Sequence, residues 1–203
     1  MQIITGLPGS PQVSQQFDVS ALAAPLTALA VSDDGTALLA GVSDGDTGGI
    51  YLITAGNGIR RVVSAKLPAA IQFLSQSDSA LIADSRADQV LLLSGVTGTV
   101  STTLLATSAE GAKAPSQIQM IGGPQAALVA NTSSDALFWI DIPTRKLTPV
   151  SFSYRVLALQ AVSGSPVVLI STAHSALWLV NQTAGGPLVT FVPGSSGSPG
   201  LAQ

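Results

Sequence analysis

The sequence predicts an all-β protein made by stacking one repeated unit, and three observations carry that prediction. The first is a phrase that recurs four times: apolar strand, polar turn, Ala/Leu-rich strand, polar hairpin, third apolar strand. The copies are PLTALAVSDDGTALLAGVSDGDTGGIYLI from Pro25, PAAIQFLSQSDSALIADSRADQVLLL from Pro68, PSQIQMIGGPQAALVANTSSDALFWI from Pro115 and VLALQAVSGSPVVLISTAHSALWLV from Val156. The second is spacing. Ala37, Ala80, Ala127 and Val168 read as one repeat position, separated by 43, 47 and 41 residues. The third is punctuation: apolar residues come in short packets closed by Gly, Ser, Asp or Pro, the rhythm of strands and turns. A period near forty with strands inside it marks the blades of a β-propeller.

Taken in order, the leader IITGLPGSPQVSQQFDV (3–19) reads as the third and fourth strands of a blade, matching LLSGVTGTVSTTLLA at 92–106. The two-residue strand period puts Val13, Gln15, Phe17 and Val19 on one face. The first full blade is expected to place strands near 26–32, 37–42, 50–54 and 59–65. A blade is covered on both faces by its neighbours, so its second strand is free to be apolar throughout. That explains ALLA (37–40), ALIA (80–83), ALVA (127–130) and VLIS (168–171). Tyr51, Leu91, Phe138 and Trp178 share one third-strand position and fill the wide outer part of the wedge. Thr54, Ser94, Asp141 and Asn181 follow it, where a side-chain oxygen closes the next turn.

The expected organisation is a partial blade over 1–20 and four blades over 21–193, at about 25–67, 68–114, 115–154 and 155–193. Residues 194–203 form a Gly/Ser-rich tail or the start of a further blade, since PGLAQ resembles PAAIQ and PSQIQ. Closed propellers carry ~4–8 blades, so the chain reads as an excerpt of a larger propeller, with open blade edges that invite self-association.

Composition narrows the function classes. Only 9% of residues are charged while 46% are hydrophobic, yet no apolar run approaches the ~18–20 residues of a spanning helix. A net charge of −3 gives no basic footprint for nucleic acid. The chain has no cysteine, which excludes disulfides, Cys-type zinc sites and thiolate catalysis. Arg60-Arg61 and Arg145-Lys146 are the basic doublets and read as solvated turn residues. Asn131-Thr132-Ser133 and Asn181-Gln182-Thr183 match the glycan acceptor pattern.

The third copy carries a family resemblance. VANTSSDALFWIDIPTRKL at 129–147, with its "V-A-N" followed by an apolar run ending in Ile-Asp, resembles the YVTN-type propeller repeat. Copy one supplies that repeat's turn as Ser32-Asp33-Asp34-Gly35, with Asp33 where the family has Pro. The resemblance covers about residues 3–193 and implies a propeller of the surface-layer, binding-scaffold, lactonase-like or haem- and quinone-dehydrogenase kind. It implies no particular activity. It leads to the expectation of a non-enzymatic binding or scaffold domain, part of a larger exported bacterial protein and so periplasmic or extracellular. The alternative is a lactonase-like or dehydrogenase-like enzyme whose active residues lie in further blades.

In a propeller, the hairpins joining strands two and three share a face with the connections entering each blade. Repeat position puts Asp44, Asp46, Asp84, Arg86, Asp88, Asp135 and His174 on those hairpins, an acidic rim expected to meet a protein or small ligand. The same aspartates also read as turn formers, whose carboxylates bond nearby backbone N–H groups. SDGDTGG at 43–49 reads as three residues longer than its counterparts. Asp44 and Asp46 there have the alternate spacing of calcium-loop oxygen ligands, which makes Ca²⁺ the one cofactor candidate, although no late Glu follows. No catalytic constellation is visible. His174 is the only histidine and Glu110 the only glutamate. The first strands supply Leu26, Ala28, Ala30, Ile71, Phe73, Ile118, Met120, Leu157, Leu159 and Ala161, which is packing material.

Overall fold

The computed structural model describes residues 2–5, 12–22, 24–54, 58–134, 136–162, 164–172, 177–183 and 186–193. The leader forms a two-stranded antiparallel sheet, β1 (Gln2–Thr5) with β2 (Gln12–Gln16). Four four-stranded antiparallel sheets follow, each ordered as the chain runs. Blade one holds β3 (Leu26–Val31), β4 (Ala37–Ser43), β5 (Gly48–Thr54) and β6 (Gly58–Ser64). Blade two holds β7 (Pro68–Phe73), β8 (Ser79–Asp84), β9 (Gln89–Ser94) and β10 (Ser101–Ala106). Blade three holds β11 (Pro115–Ile121), β12 (Ala126–Asn131), β13 (Leu137–Asp141) and β14 (Lys146–Val150). Blade four holds β15 (Val156–Ala161), β16 (Val167–Thr172), β17 (Leu177–Thr183) and β18 (Gly186–Val192). Among the described residues the one helical piece is a 3₁₀ turn at Ser108–Glu110, where Glu110 accepts the Thr107 backbone N–H at 2.9 Å.

The first strands converge. β7 lies against β3 and β4, β11 against β7 and β8, and β15 against β11 and β12, so the sheets fan outward from a common inner edge as propeller blades do. The apolar second strands serve two cores at once. In β8, Ala80 and Ile82 join the cluster shared with blade one, while Leu81 and Ala83 join the cluster shared with blade three. In β12, Ala127 and Val129 face blade two, and Leu128 and Ala130 face blade four. Burying one such Leu or Ile contributes about 1.5–3 kcal/mol, and only with a neighbouring blade present.

The leader caps this stack. Phe17 is 1% exposed and packs on Leu38, Ala40 and Ile53 of blade one, beside Val19. The side chains of Val13 and Gln15 lie outside those described. At the other end, Val168, Ile170 and Val180 point into blade three, whereas Leu177 and Leu188 on the opposite side of blade four are exposed.

The repeat register needs one correction. Each first strand opens on a residue paired with the end of the second: Leu26 with Val42, Pro68 with Asp84, Pro115 with Asn131, Val156 with Thr172. Ala80, Ala127 and Val168 are therefore equivalent to Leu38, not to Ala37, and Leu26 rather than Pro25 matches Pro68. The slip arises because β4 is buried on both faces and has no polar alternation to set its register. Third-strand equivalence stands as expected: Tyr51, Leu91, Phe138 and Trp178 pair with Ala40, Ile82, Val129 and Ile170.

Candidate functional site: the hairpin face between blades one and two

Blade one's hairpin is longer than blade two's in its ladder rather than its loop. Nine positions separate Val42 from Tyr51, and seven separate the equivalent Asp84 from Leu91. The two extra residues, not three, add the rung Ser43–Gly48, and the loop 44–47 is then as long as 85–88 in blade two. The tip of blade one thus stands one rung higher. Gly48 makes this possible, because a Cβ there would lie 2.5, 2.7 and 2.8 Å from the backbone oxygens of Val42, Ala65 and Lys66.

The two carboxylates at this tip are engaged separately. Asp44 accepts the Thr47 backbone N–H at 3.2 Å and the Thr47 hydroxyl at 2.6 Å. The hydroxyl bond is the main cause that holds its carboxyl below the ordinary value of 3.8. Asp46 instead reaches the next blade, meeting the Arg86 guanidinium at 3.1 Å, and the same guanidinium nitrogen donates to the Gly45 carbonyl. Among the described residues no three His, Cys, Asp or Glu side chains gather in a group able to hold a metal ion.

The other rim residues divide by burial. Asp84 is 0% exposed and does not belong to a surface rim. Its Oδ2 accepts the Lys66 N–H at 2.8 Å, and its Oδ1 accepts those of Leu67 at 2.9 Å and Ala87 at 3.3 Å. The carboxylate therefore ties the connection entering blade two to its own hairpin. Asn131 holds the same place in blade three, 5% exposed, accepting from Lys113 N at 3.0 Å and donating to the Gly111 carbonyl at 2.9 Å. Both functions of its amide are thus occupied and buried, which removes it as a glycan acceptor. Asp88 accepts the Ala114 N–H at 2.7 Å and so links its hairpin to the connection leaving blade two. Ser43 does the same for blade one by donating to the Lys66 carbonyl at 2.7 Å. Asp135 and His174 lie outside the described residues.

These stitches leave an open groove of about 580 Å³ between the hairpins of blades one and two. Arg61, Lys66 and Arg86 line it with Asp46 and the buried Asp84, so three of the chain's eight basic residues meet here. The expected acidic rim is at this point a basic groove. An acidic pocket of about 270 Å³ lies on the opposite, turn face, lined by Asp33, Asp34 and Asp78. All three are engaged there: Asp33 with Ser75 and Gln76 N, Asp34 with Ser32 and Thr36, and Asp78 with Thr97. The Arg60-Arg61 doublet is split. Arg60 donates to the Val96 and Gly98 carbonyls of blade two at 2.9 and 3.0 Å, while Arg61 turns to the hairpin face and donates to Gly48 O. Sequence reasoning missed Lys66, although a signal was present: Lys66 and Lys113 both stand two residues before a blade-opening proline, on connections that share the hairpin face.

Among the inner strands, Ile71, Phe73 and Ile118 are buried, while Leu26, Leu29 and Leu157 are exposed. Two polar inner side chains bridge blades: Thr27 donates to Pro68 O at 2.6 Å, and Gln117 bonds both Leu157 O and Leu159 N at 2.9 Å.

The depressed carboxylates set one expectation for acid. Asp18, Asp34, Asp44 and Asp141 are each held below 3.8, chiefly by a nearby Ser or Thr hydroxyl. A group whose folded pKa lies below its unfolded value stabilises the fold above that unfolded value and loses the contribution as pH falls through the folded one. Urea midpoints are therefore expected to be flat above about pH 5 and to fall below about pH 4. Thr47→Val should flatten part of that fall; an unchanged acid slope in this variant would remove Asp44 from the set.

No family model and no curated relative matches the sequence. Solved structures do. The Swd1 β-propeller domain of Myceliophteria thermophila aligns with a TM-score of 0.60 at 15% identity, over 82% of this chain and 57% of that one. An auxiliary nutrient-binding protein from Bacteroides thetaiotaomicron aligns at 0.58 and 14%, over 82% and 42%. A candidate 6-phosphogluconolactonase from Bacteroides fragilis aligns at 0.58 and 15%, over 83% and 54%. The chain spans about half the length of these structures. At such identities the likeness establishes the fold: the chain is an array of β-propeller blades.

Proposed function

We propose that this array is a non-enzymatic binding domain, part of a larger exported bacterial protein, whose ligand or protein partner meets the hairpin face between blades one and two. The open groove there, lined by side chains from both blades, carries the reading. Propeller neighbours named for nutrient binding and for lactone hydrolysis both exist, so fold alone does not choose. The inner strands favour binding, since β3, β7, β11 and β15 contain no His, Glu or Arg. A thermal-shift screen of chemically varied ligands, with hits mapped by hydrogen exchange, tests it. Ligands should slow exchange at 44–48, 66–67 and 85–89. Saturable hydrolysis of a sugar lactone by this chain, or hits mapping only to the turn face, would overturn it.

The same reading includes self-association. Leu157 and Leu188 are each 55% exposed on blade four, and the strands of its sheet carry no charge, so this side is completed by further chain or, when the chain is taken alone, by a second copy. Light scattering is expected to show species above the monomer mass, shifting to monomer in Leu157→Lys/Leu188→Lys. A wild-type monomer at high concentration contradicts this.

A further inference from the structure

We infer that the groove between blades one and two binds an oxyanion, the phosphate or carboxylate group of a small ligand, and that Asp46 holds Arg86 until such a group displaces it. The inference rests on the binding reading above and names the ligand chemistry for that face.

Three basic residues line the groove from different elements. Arg61 comes from β6, Lys66 from the connection between blades, and Arg86 from the second hairpin. Such a grouping on a surface poor in charge is unfavourable unless negative charge is supplied. The two acids present do so incompletely. Asp84 is buried, and its oxygens already accept three backbone N–H groups. Asp46 meets only Arg86, and its side chain is fully exposed. Exposed pairs of this kind contribute little to stability, so exchanging Asp46 for an incoming anion costs little. Lys66 is exposed and its ammonium has no hydrogen-bond or ion-pair partner among the described residues, while its backbone is fixed by Asp84. A ligand oxyanion between Arg86 and Lys66 would gain charge-assisted hydrogen bonds to both.

Calorimetry on the full chain at low salt, with pyrophosphate and with malonate as probes, tests the assignment. At least one probe should bind saturably and more weakly as salt rises. Affinity should fall about tenfold or more in Lys66→Gln and in Arg86→Gln, and rise severalfold in Asp46→Asn. Lys66→Gln removes no structural bond, so its loss reports the site rather than the fold. Lys146→Gln, which makes the same change in net charge on the turn face, should leave affinity unchanged. Pyrophosphate binding alone assigns a phosphorylated ligand, and malonate binding alone a carboxylate. Absence of binding by both probes, equal weakening in Lys146→Gln, or no tightening in Asp46→Asn overturns the inference. If a neutral or cationic ligand protects this face while neither anion binds, the oxyanion assignment falls and the binding reading stands. If nothing protects the face, both fall.

Discussion

Asp84→Asn is expected to destabilise the chain by about 3 kcal/mol, although it changes one atom and keeps the volume. Asp84 faces three N–H donors, and a carboxylate offers acceptors on both oxygens. An amide in the same place keeps one acceptor and turns an NH₂ toward a backbone N–H, leaving donors buried without partners. The neighbouring blade shows that the residue type follows the connection it meets. Asn131 succeeds at the equivalent position because its connection presents one N–H, at Lys113, and one carbonyl, at Gly111. Asn131→Asp should therefore also destabilise, by setting a carboxylate oxygen against that carbonyl. Urea denaturation measures both. A near-neutral result for either variant would mean that these residues do not stitch the blades.

Gly48→Ala is expected to cost about 2–4 kcal/mol, well above an ordinary glycine replacement. The three atoms nearest the added methyl group are backbone oxygens, two of them in the connection to blade two, so no side chain can turn aside. Relief requires moving that connection, which would strain the Asp84 bonds to Lys66 and Leu67. The control is Gly98→Ala. A Cβ there meets nothing within 4 Å, and its backbone is not left-handed, so that change should be neutral or stabilise by up to about 1 kcal/mol. Equal effects at the two sites would refute the tight approach of hairpin and connection.

Blade existence was legible because turn residues punctuate four similar apolar packets, and because large third-strand side chains from Tyr51 to Trp178 mark equivalent rungs. The second-strand register was not legible in blade one. A strand buried on both faces shows no polar alternation, so ALLA aligns with ALIA as well one residue out of step as in step. Assignment of hairpins to one face was legible from topology. The roles on that face were less so: Asp84 reads as an exposed turn aspartate until the connection is laid over it. Arg60-Arg61 reads as one patch, yet neighbours on a strand point to opposite faces. Lys66 is not legible from hairpin charge, because it stands on the connection beside the hairpins.

The buried Asp84 stitch defines the groove, and backbone hydrogen exchange at Lys66 and Leu67 tests it most directly. Both amides lie outside any strand, so without the stitch they would exchange at loop rates. With it they should exchange as slowly as the middle of β8 and become fast in Asp84→Asn, while the Lys113 amide, held by Asn131, stays protected. Rapid exchange at Lys66 and Leu67 in the unmodified chain would contradict the account.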